Sequence, residues 1–468
     1  MLITMPSQRQ VLSIITIALI ALLTVTTLQH FTGNRGLDDI VLGPLHDSLP
    51  QVQKQRPIYK KPPTYAPPPI KDNFPLLQTT TKLPPIPPWN VPKRNLHRSY
   101  DLPLAPPLLI GFTRAWPLLL QAVTSYITAG WPASQIYVIE NTGVQQANAR
   151  NQLTLQNPFY LNHTQLKTLG VNIIQTPALL SFAQLQNFYH SLTYQHNWPY
   201  FFWSHMDVLA FSLENGGDGL PRYNEDGYKT IYELSLAALK EARETDPRWG
   251  IRFFAYDHLA LVNPEAYEDV GGWDTMIPYY NTDCDMHTRL TMRGWSLKDA
   301  RAGLITDVGS SLADLRVLYR VEEVKPDFCD VNPPPPEKGG KTRFAGAETM
   351  NASSSTHQSP KRDADEKPDP EIAKFRALEE TAHAMVRYKN SGTRERYVWQ
   401  MGQRGGQGEP FYYNAQGLQD AIEVMIETGR RIYRMKWGHK DCDLIDGAKL
   451  KLGDQWMVEK DYFAPLGD

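Results

Sequence analysis

The chain has 468 residues, of which 41% are apolar and 21% are charged, and its formal net charge at pH 7 is −2. Its length allows one large domain or two ordinary ones, and its apolar fraction excludes a chain that is disordered throughout. Because there is no overall basic charge, nucleic acid is not expected as a partner.

An uncharged apolar run occupies residues 11–28 and contains neither glycine nor proline. About 20 apolar residues span the hydrocarbon core of a bilayer. No small-residue cleavage site follows the run, which favours an uncleaved anchor over a cleaved signal peptide. Arg9 precedes the run and two aspartates follow it, so residues 1–10 should form a cytosolic tail. The sequence thus predicts a single-pass type II protein of the Golgi or ER membrane, with its bulk in the lumen.

Two segments lack a sustained apolar period. Residues 29–107 are rich in proline and lysine, which predicts an extended stem with polyproline character. Residues 329–371 contain PPPPEKGG and a polar low-complexity run, which predict a disordered insertion. Acceptor tripeptides for N-linked glycans begin at Asn162 and Asn351. They fit entry into the secretory pathway.

Apolar runs alternate with helical patterns from residue 108 onward. Strands are predicted at 108–114, 136–143, 171–177 and 199–207, and helices at 116–130 and 181–195. This alternation predicts a parallel sheet covered by helices, with the ligand beyond the carboxyl ends of the strands. Asp207 stands at such an end, after the apolar run FFWSHM. A buried carboxylate without a partner is costly, so Asp207 is expected to face a cleft.

The second half of the chain is mainly helical by pattern. Helices are predicted at 228–245, 372–388 and 418–433. The run IRFFAYDHLALVN at 251–263 is strand-like, and its Asp257 and His258 are interpreted as turn residues. Residues 372–468 form a predicted helical C-terminal extension. Its segments FYYNAQGL and KWGHKDCDL either complete a binding site or only pack and carry solvated charge.

Two aspartates stand in the first turn of a helix that is predicted to begin near residue 283. The helix dipole favours carboxylates there, so local structure alone explains both. At about 100° per residue, Asp283 shares the apolar face with Met286 and Leu290, whereas Asp285 points away toward Arg289. A carboxylate on an inward face suits general base catalysis. Asp283 is therefore the first candidate for a catalytic base, and Asp285 is the second.

These segments, in this order, resemble the nucleotide-sugar glycosyltransferases of the GT-A fold. WSHMD at 203–207 resembles the metal motif at a strand end, which is usually Asp-x-Asp. GGWD at 271–274 and TDCDMHTRL at 282–290 resemble the acceptor-side segment, which reads Glu-Asp-x-Asp-Leu-x-x-Arg-Leu in the inverting family of chitin and cellulose synthases. The similarity covers residues 108–312 and extends to fungal type II membrane proteins classed as nucleotide-diphospho-sugar transferases.

The resemblance implies an α/β fold, a GT-A Rossmann-like mixed sheet at residues 108–328, and sugar transfer from a nucleotide-sugar donor to a glycan, protein or lipid hydroxyl. In such enzymes a divalent metal, Mn²⁺ or Mg²⁺, neutralises the departing diphosphate. Asp207 would bind this metal, and Asp283 would remove the acceptor proton, which implies inversion at the anomeric carbon. Two positions depart from the family. His205 replaces the first acidic residue of the metal motif and would either bind the metal or contact the ribose. Asp307 stands where a metal-binding histidine is usual, so either Asp307 is the second metal ligand or the metal shell is incomplete.

The resemblance also suggests contacts to both substrates. The suggested donor-binding residues are Thr113, Arg114, Glu140, Asn141, Asn187 and His205. The suggested acceptor-binding residues are Gly272, Trp273 and Asp274. Ordinary turns, caps and core packing explain these residue types equally well. Because His205 replaces the first acidic residue of the metal motif, a catalytically inactive glycan-binding or scaffolding protein of the same fold is the alternative function.

Three cysteines, Cys284, Cys329 and Cys442, allow at most one disulfide. If the thiols are oxidised, Cys442 is expected to pair with Cys329 across the predicted insertion. Three buried reduced thiols are the alternative.

Overall fold

The computed structural model describes residues 57–61, 68–80, 82–217, 219–331, 369–391, 408–411 and 414–461. The chain divides into two compact units, Met1–Thr64 and Tyr65–Asp468. In the first unit, residues 57–61 are exposed and have no regular secondary structure. The expected tail and anchor at 1–28 and the acceptor tripeptide at Asn351 lie outside the described residues. No helix of the described part is both long enough and apolar enough to cross a bilayer.

The second unit is built on a seven-stranded sheet of order β3-β2-β1-β4-β7-β6-β8. The strands of the unit are β1 Leu108–Phe112, β2 Ile136–Glu140, β3 Asn172–Gln175, β4 Phe201–Ser204, β5 Val208–Phe211, β6 Trp249–Phe253, β7 Leu259–Val262, β8 Ser296–Asp299, β9 Leu304–Asp307, β10 Ser311–Leu312 and β11 Phe328–Cys329. Strands β1 to β4 pair in parallel, β7 is antiparallel to both of its neighbours, and β8 is parallel to β6. The predicted α/β class is confirmed: the fold is mixed, with a mainly parallel central sheet consistent with a Rossmann-like arrangement.

The strand-like run at 251–263 forms two strands, with the predicted turn residues Asp257 and His258 between them. β6 ends at Phe253, β7 begins at Leu259, and the two pair antiparallel. The chain reverses through Ala255 and Tyr256, which have positive φ angles of 65° and 54°. Residues with side chains seldom adopt this conformation, so nothing in their identity announces the turn.

The helices, in chain order, are α1 Leu76–Thr79, α2 Trp116–Thr128, α3 Gln145–Ala149, α4 His163–Leu169, α5 Phe182–His196, α6 Ile231–Thr245, α7 Pro264–Asp269, α8 Thr282–Met292, α9 Pro370–Lys389 and α10 Ala415–Trp437. Every residue of α2 is buried, because WPLLLQAVTSYIT is apolar around nearly its whole circumference. α6 starts at a reciprocal cap in which Thr230 and Glu233 each bind the other's backbone N–H.

Two apolar layers cover the faces of the central sheet. Along β1, Leu108 and Ile110 pack into the layer that contains α2 and α6, whereas Leu109 packs into the layer that contains α5, α7 and α8. Successive strand residues point to opposite faces, which explains this alternation. The carboxyl ends of the parallel strands remain at one edge between the two layers.

Residues 68–80 and 82–107 do not form the extended stem that the sequence predicted. Phe74 is fully buried in the main core, and Asn90 donates hydrogen bonds to Thr128 O and Glu214 Oε1, both at 2.9 Å. Single apolar and amide side chains between the prolines provide these contacts. The prolines therefore separate short turns that pack on the sheet domain.

The C-terminal helices pack onto the same body. Phe375 and Met385 of α9 belong to the main core. A disulfide between Cys284 in α8 and Cys442 after α10, with 5.3 Å between their Cα atoms, fastens the end of the chain. The expected pairing of Cys442 with Cys329 is therefore wrong, and Cys329 is a free thiol.

Candidate active site

A cavity of about 540 Å³ opens at the carboxyl ends of β1 and β4. Its walls come from the segments after these strands, the β6–β7 turn, the start of α8 and the C-terminal helices α9 and α10. Asp207 lines it from the β4 side and Asp283 lines it from α8. The two carboxylates that the sequence analysis selected thus line the same cavity.

A two-stranded sheet brings Asp207 and Asp307 together. β5 begins at Val208, directly after Asp207, and pairs with β9 so that Val208 lies opposite Asp307. Val308 N–H donates to Asp207 O at 2.8 Å, which extends the pairing. Asp207 is only 7% exposed. Backbone pairing therefore fixes both carboxylates at the floor of the cavity.

Lys389, the last residue of α9, reaches between these carboxylates. Its Nζ lies 3.6 Å from Asp207 Oδ2 and donates a hydrogen bond to Asp307 Oδ1. No motif marked this lysine in the sequence, because it follows Asp307 by 82 positions and belongs to a helix that was predicted as an extension. The contact is a product of tertiary packing alone.

Two histidines complete the polar end of the cavity. His205 Nδ1 lies 3.8 Å from Asp207 Oδ1 and its Nε2 lies 3.6 Å from Asp257 Oδ2. His258 Nε2 lies 3.7 Å from Asp307 Oδ2. Burial opposes a positive charge on His205, but the three surrounding carboxylates outweigh it and raise its pKa to about 9. Burial and the charge on His205 lower the pKa of His258. At neutral pH, His205 is the cation and His258 is neutral.

Asp257 is the partner that the sequence reading treated only as a turn residue. Burial opposes its ionisation, but the hydrogen bond and charge of His205 hold the pKa of Asp257 below its usual value. Asp257 and His258 both line the cavity. The antiparallel turn between β6 and β7 puts them there: the turn was predicted, but its place in the cavity wall was not.

Asp283 faces the cavity from the first turn of α8. Tyr256 Oη donates a hydrogen bond to Asp283 Oδ2 at 2.9 Å. Burial and this carboxylate raise the pKa of Tyr256, so the phenol stays protonated. A bulky residue at positive φ carries strain of about 1–3 kcal/mol, which the surrounding structure must hold. The strained turn aims a hydroxyl donor at Asp283.

Asp285 pairs with Arg289 as predicted, but it is not among the described residues that line the cavity. It is fully buried, and its oxygens accept from Arg289 Nε at 2.8 Å, from Lys436 Nζ at 2.7 Å and from Trp437 Nε1 at 2.9 Å. Arg289 also donates to the carbonyls of Val270 and Gly272. Asp285 is therefore the centre of a buried network that joins α8 to α10, which leaves its oxygens no place for a substrate.

Three of the suggested donor residues, Thr113, Arg114 and Asn141, line the cavity together with His205. Asn141 also fixes the segment before α5, since it exchanges hydrogen bonds with the backbone of Leu180 at 2.7 and 2.9 Å.

Glu140 lies apart from these donor residues, with a buried carboxylate that accepts hydrogen bonds from Asn148, Gln175 and His163. Burial opposes its ionisation, but these partners lower the pKa of Glu140. Glu140 thus serves as a structural acceptor and is not among the described residues that line the cavity.

Gly272, Trp273 and Asp274 line a second pocket of about 470 Å³. Asn187 holds their loop: it accepts from Trp273 N at 2.8 Å and donates to Trp273 O at 2.9 Å. Gly272 has a φ of 75°, and a Cβ there would lie 2.7 Å from Asn187 Oδ1. Asp274 pairs with Lys436 at 2.8 Å. The structure thus separates this loop and Asn187 from the residues that line the main cavity.

A further group of possible cation ligands lies after α10 within the described part of the chain. His439, Asp441 and Asp443 present ligand atoms within 4.8 Å of one another. His439 already forms hydrogen bonds with Asp443 at 2.7 Å and with Asp461 at 2.6 Å. Its partners are exposed, so the group is a surface network that is paired internally.

No protein-family model matches the sequence, and no curated protein matches it significantly. Among solved structures, the mannosyltransferase PcManGT from Pyrobaculum calidifontis, in complex with GDP-Man and Mn²⁺, aligns with 12% identity and a TM-score of 0.28 over 44% of this chain. The alignment spans 60% of the mannosyltransferase, less than two thirds of its length. A cytidylyltransferase from Leptospira borgpetersenii aligns with 9% identity and a TM-score of 0.26, over 42% of this chain and 76% of its own. At such TM-scores, neither similarity carries a functional argument.

Proposed function

We propose that the chain is a GT-A glycosyltransferase that moves a sugar from a nucleotide-sugar donor to a hydroxyl acceptor, with inversion and with a divalent cation. The observation that carries this proposal is the presence of Asp207 and Asp283 in different walls of one cavity. Sugar transfer needs positive charge beside the leaving diphosphate and a base beside the acceptor hydroxyl. The cavity offers residues of both kinds.

Asp207 and Asp307 are the proposed ligands of Mn²⁺ or Mg²⁺. Carboxylate oxygens are the hard ligands that these ions prefer, and the ammonium of Lys389 lies within 4 Å of both carboxylates. A divalent ion bound there would neutralise charge on the departing diphosphate. Arg114 and the cationic His205 line the same cavity and add positive charge on the donor side.

Asp283 is the proposed general base. It would accept the proton of the acceptor hydroxyl as that oxygen attacks the anomeric carbon. Tyr256 holds Oδ2 of this carboxylate through a hydrogen bond at 2.9 Å, which leaves Oδ1 for the proton. One displacement with one base inverts the anomeric configuration.

Thr113, Arg114 and Asn141 are the proposed contacts to the nucleotide, because they line the cavity after the first two strands. The acceptor, a glycan, protein or lipid hydroxyl, would approach α8 past Tyr279 and Tyr280, which line the same cavity. Aromatic faces of this kind suit sugar rings. Gly272 would support the acceptor side by accepting a hydrogen bond from Arg289 of α8, Trp273 by packing in the same apolar layer as α8, and Asp274 by pairing with Lys436 of α10.

We also propose a lumenal location in the Golgi or ER membrane, with residues 11–28 as the anchor. The disulfide between Cys284 and Cys442 supports an oxidising compartment, since disulfides persist there and are rare in the cytosol.

A direct test uses the purified full chain, Mn²⁺ and a panel of nucleoside-diphosphate sugars, with slow donor hydrolysis as the readout. We expect hydrolysis of one donor, with a loss of at least about 100-fold in Asp207→Asn and in Asp283→Asn. Asp299→Asn, at the exposed end of β8, is the matched control and should retain full activity. Unchanged hydrolysis in both cavity variants would refute the proposal.

A catalytically inactive glycan-binding protein is the second candidate. The observation in its favour is Lys389, which occupies the position between Asp207 and Asp307 that a metal would take. A protein of this kind would bind glycans in isothermal titration calorimetry but would hydrolyse no donor at any Mn²⁺ concentration.

A further inference from the structure

The position of Lys389 has a consequence for cation binding that does not depend on the sugar. Its ammonium hydrogen-bonds Asp307 and lies 3.6 Å from the buried carboxylate of Asp207. Two carboxylates that share one counter-ion repel each other when it leaves, and Asp207 is buried, so the pair needs positive charge nearby. In the free protein, the ammonium of Lys389 lies within 4 Å of both carboxylates, whereas His205 approaches Asp207 at 3.8 Å and His258 approaches Asp307 at 3.7 Å.

A divalent ion and the ammonium cannot occupy this position together. Metal–oxygen bonds are about 2.0–2.1 Å long for Mg²⁺, so an ion bound by both carboxylates would lie between the same oxygens that now face Nζ. Two cations within about 4 Å repel strongly at the low effective dielectric of a partly buried site. Entry of the ion therefore requires departure of the ammonium.

The backbone that carries Lys389 is fixed, whereas its side chain is not. Phe375, Leu378 and Ala382 of α9 are packed in the main core, and Tyr388 Oη donates to Asp330 Oδ2 at 2.7 Å. Lysine has a flexible four-carbon stem that can swing an ammonium out of the site without movement of the helix. The side chain of Lys389 is 22% exposed, so a path to solvent exists.

We propose that Lys389 is a built-in counter-ion that competes with the divalent cation for Asp207 and Asp307. This inference rests on the proposed function, because it takes those carboxylates as the cation site of a transferase. The lysine keeps the carboxylate pair neutralised when no ion is present, and it sets the cation concentration at which the site fills.

The test is a Mn²⁺ titration of the full chain, followed by electron paramagnetic resonance of the free ion, without any nucleotide sugar. All proteins carry Asp441→Asn, which removes one ligand of the surface group after α10. We expect Lys389→Met to lower the Kd for one Mn²⁺ at least about tenfold, because a repelling charge is removed. Lys389→Arg keeps the charge and should stay close to the parent.

Lys374→Met is the matched control, since Lys374 lies on the same helix and pairs with Glu371 at 2.8 Å. It should leave the Kd unchanged. Adding Asp207→Asn to Lys389→Met should abolish the gain, which would assign the tighter site to this pair of carboxylates. If Lys389→Met unfolds without metal, rescue of its melting temperature by Mn²⁺, absent in Lys374→Met, would support the same conclusion.

Equal or weaker Mn²⁺ binding in Lys389→Met, with a folded protein, would overturn the inference. The same measurements distinguish this inference from the proposed function. Tighter Mn²⁺ binding by Lys389→Met in a protein that cleaves no donor would support the counter-ion role of Lys389 and refute the proposed transferase activity. Donor cleavage with an unchanged Mn²⁺ affinity in Lys389→Met would support the transferase activity and refute the counter-ion role.

Discussion

Asp283 and Asp285 lie two positions apart in the first turn of α8, yet Asp283 lines the cavity and Asp285 is fully buried under α10. The helical rotation of about 200° between them puts their carboxylates on nearly opposite sides. Tertiary packing, and not the helix dipole, decides which of the two can meet a substrate.

Substitution of each aspartate by asparagine should therefore have opposite effects. Asp283→Asn removes a base and should lower transfer at least about 100-fold with little change in stability. Asp285→Asn leaves Arg289 and Lys436 without their shared buried counter-charge and should reduce the free energy of unfolding by about 3–5 kcal/mol. Turnover and urea unfolding measured on both variants would check this. A stable, inactive Asp285→Asn would contradict the assignment.

Tyr256→Phe should reduce kcat about tenfold, because the variant loses the hydrogen bond that holds Asp283 Oδ2. The KM for the donor should not change, since Tyr256 touches the base and not the carboxylates near Lys389. Steady-state kinetics with varied donor would separate the two parameters. Tyr194→Phe is the matched control, because its hydroxyl interacts with Glu268 on the surface. A higher donor KM with an unchanged kcat would place Tyr256 on the donor side instead.

Local pattern was enough to predict the strands and helices that frame the cavity. The apolar runs predicted β1, β2, β3 and β4 at their observed positions, with carboxyl ends two or three residues too late, because turn residues after a strand still look extended. Asp207 and Asp283 could be selected since each is a carboxylate at the end of an element. Their roles remain proposals.

The local sequence pattern could not predict long-range packing. Lys389, the disulfide to Cys442 and the burial of Asp285 all depend on where α9 and α10 settle on the sheet domain. Nothing local marks such contacts, because they join segments far apart in the chain. The prediction of an extended stem was wrong for a related reason. Proline content suggested an extended chain, but isolated residues such as Phe74 are buried in the core and keep this segment packed on the sheet domain.

Cys442→Ser should lower the free energy of unfolding by about 2–5 kcal/mol, because the disulfide closes a loop over a separation of 158 residues. It also fastens the turn of α8 that carries Asp283, so activity should fall along with stability. Cys329→Ser is the control, since Cys329 is a free thiol. Urea unfolding with and without reductant would measure the effect. Equal stability of the two variants under oxidising conditions would exclude a stabilising disulfide.

Asp246 should make the fold sensitive to acid. Its carboxylate accepts from Arg252 and Lys298, both at 2.9 Å, and from Ser296 Oγ. Burial opposes its ionisation, but these three donors outweigh burial and hold the pKa of Asp246 well below its usual value. A carboxyl group with a lowered pKa in the folded state stabilises the fold above its unfolded pKa of about 3.9, and that contribution is lost as the pH falls toward the folded value.

Asp246→Asn should therefore destabilise the protein by about 3 kcal/mol at pH 7, because the buried guanidinium of Arg252 loses its counter-charge. The difference from the parent should shrink as the pH falls below about 4, because the unfolded parent then binds a proton at this carboxyl group while the folded parent still keeps it ionised. Urea unfolding of both proteins at a series of pH values from 7 to 3 would measure this difference in the free energy of unfolding. Asp299→Asn, exposed at the end of β8, should show no difference across the series. A deficit in Asp246→Asn that stays constant to the lowest pH would show that the ionised carboxylate is not the stabilising species.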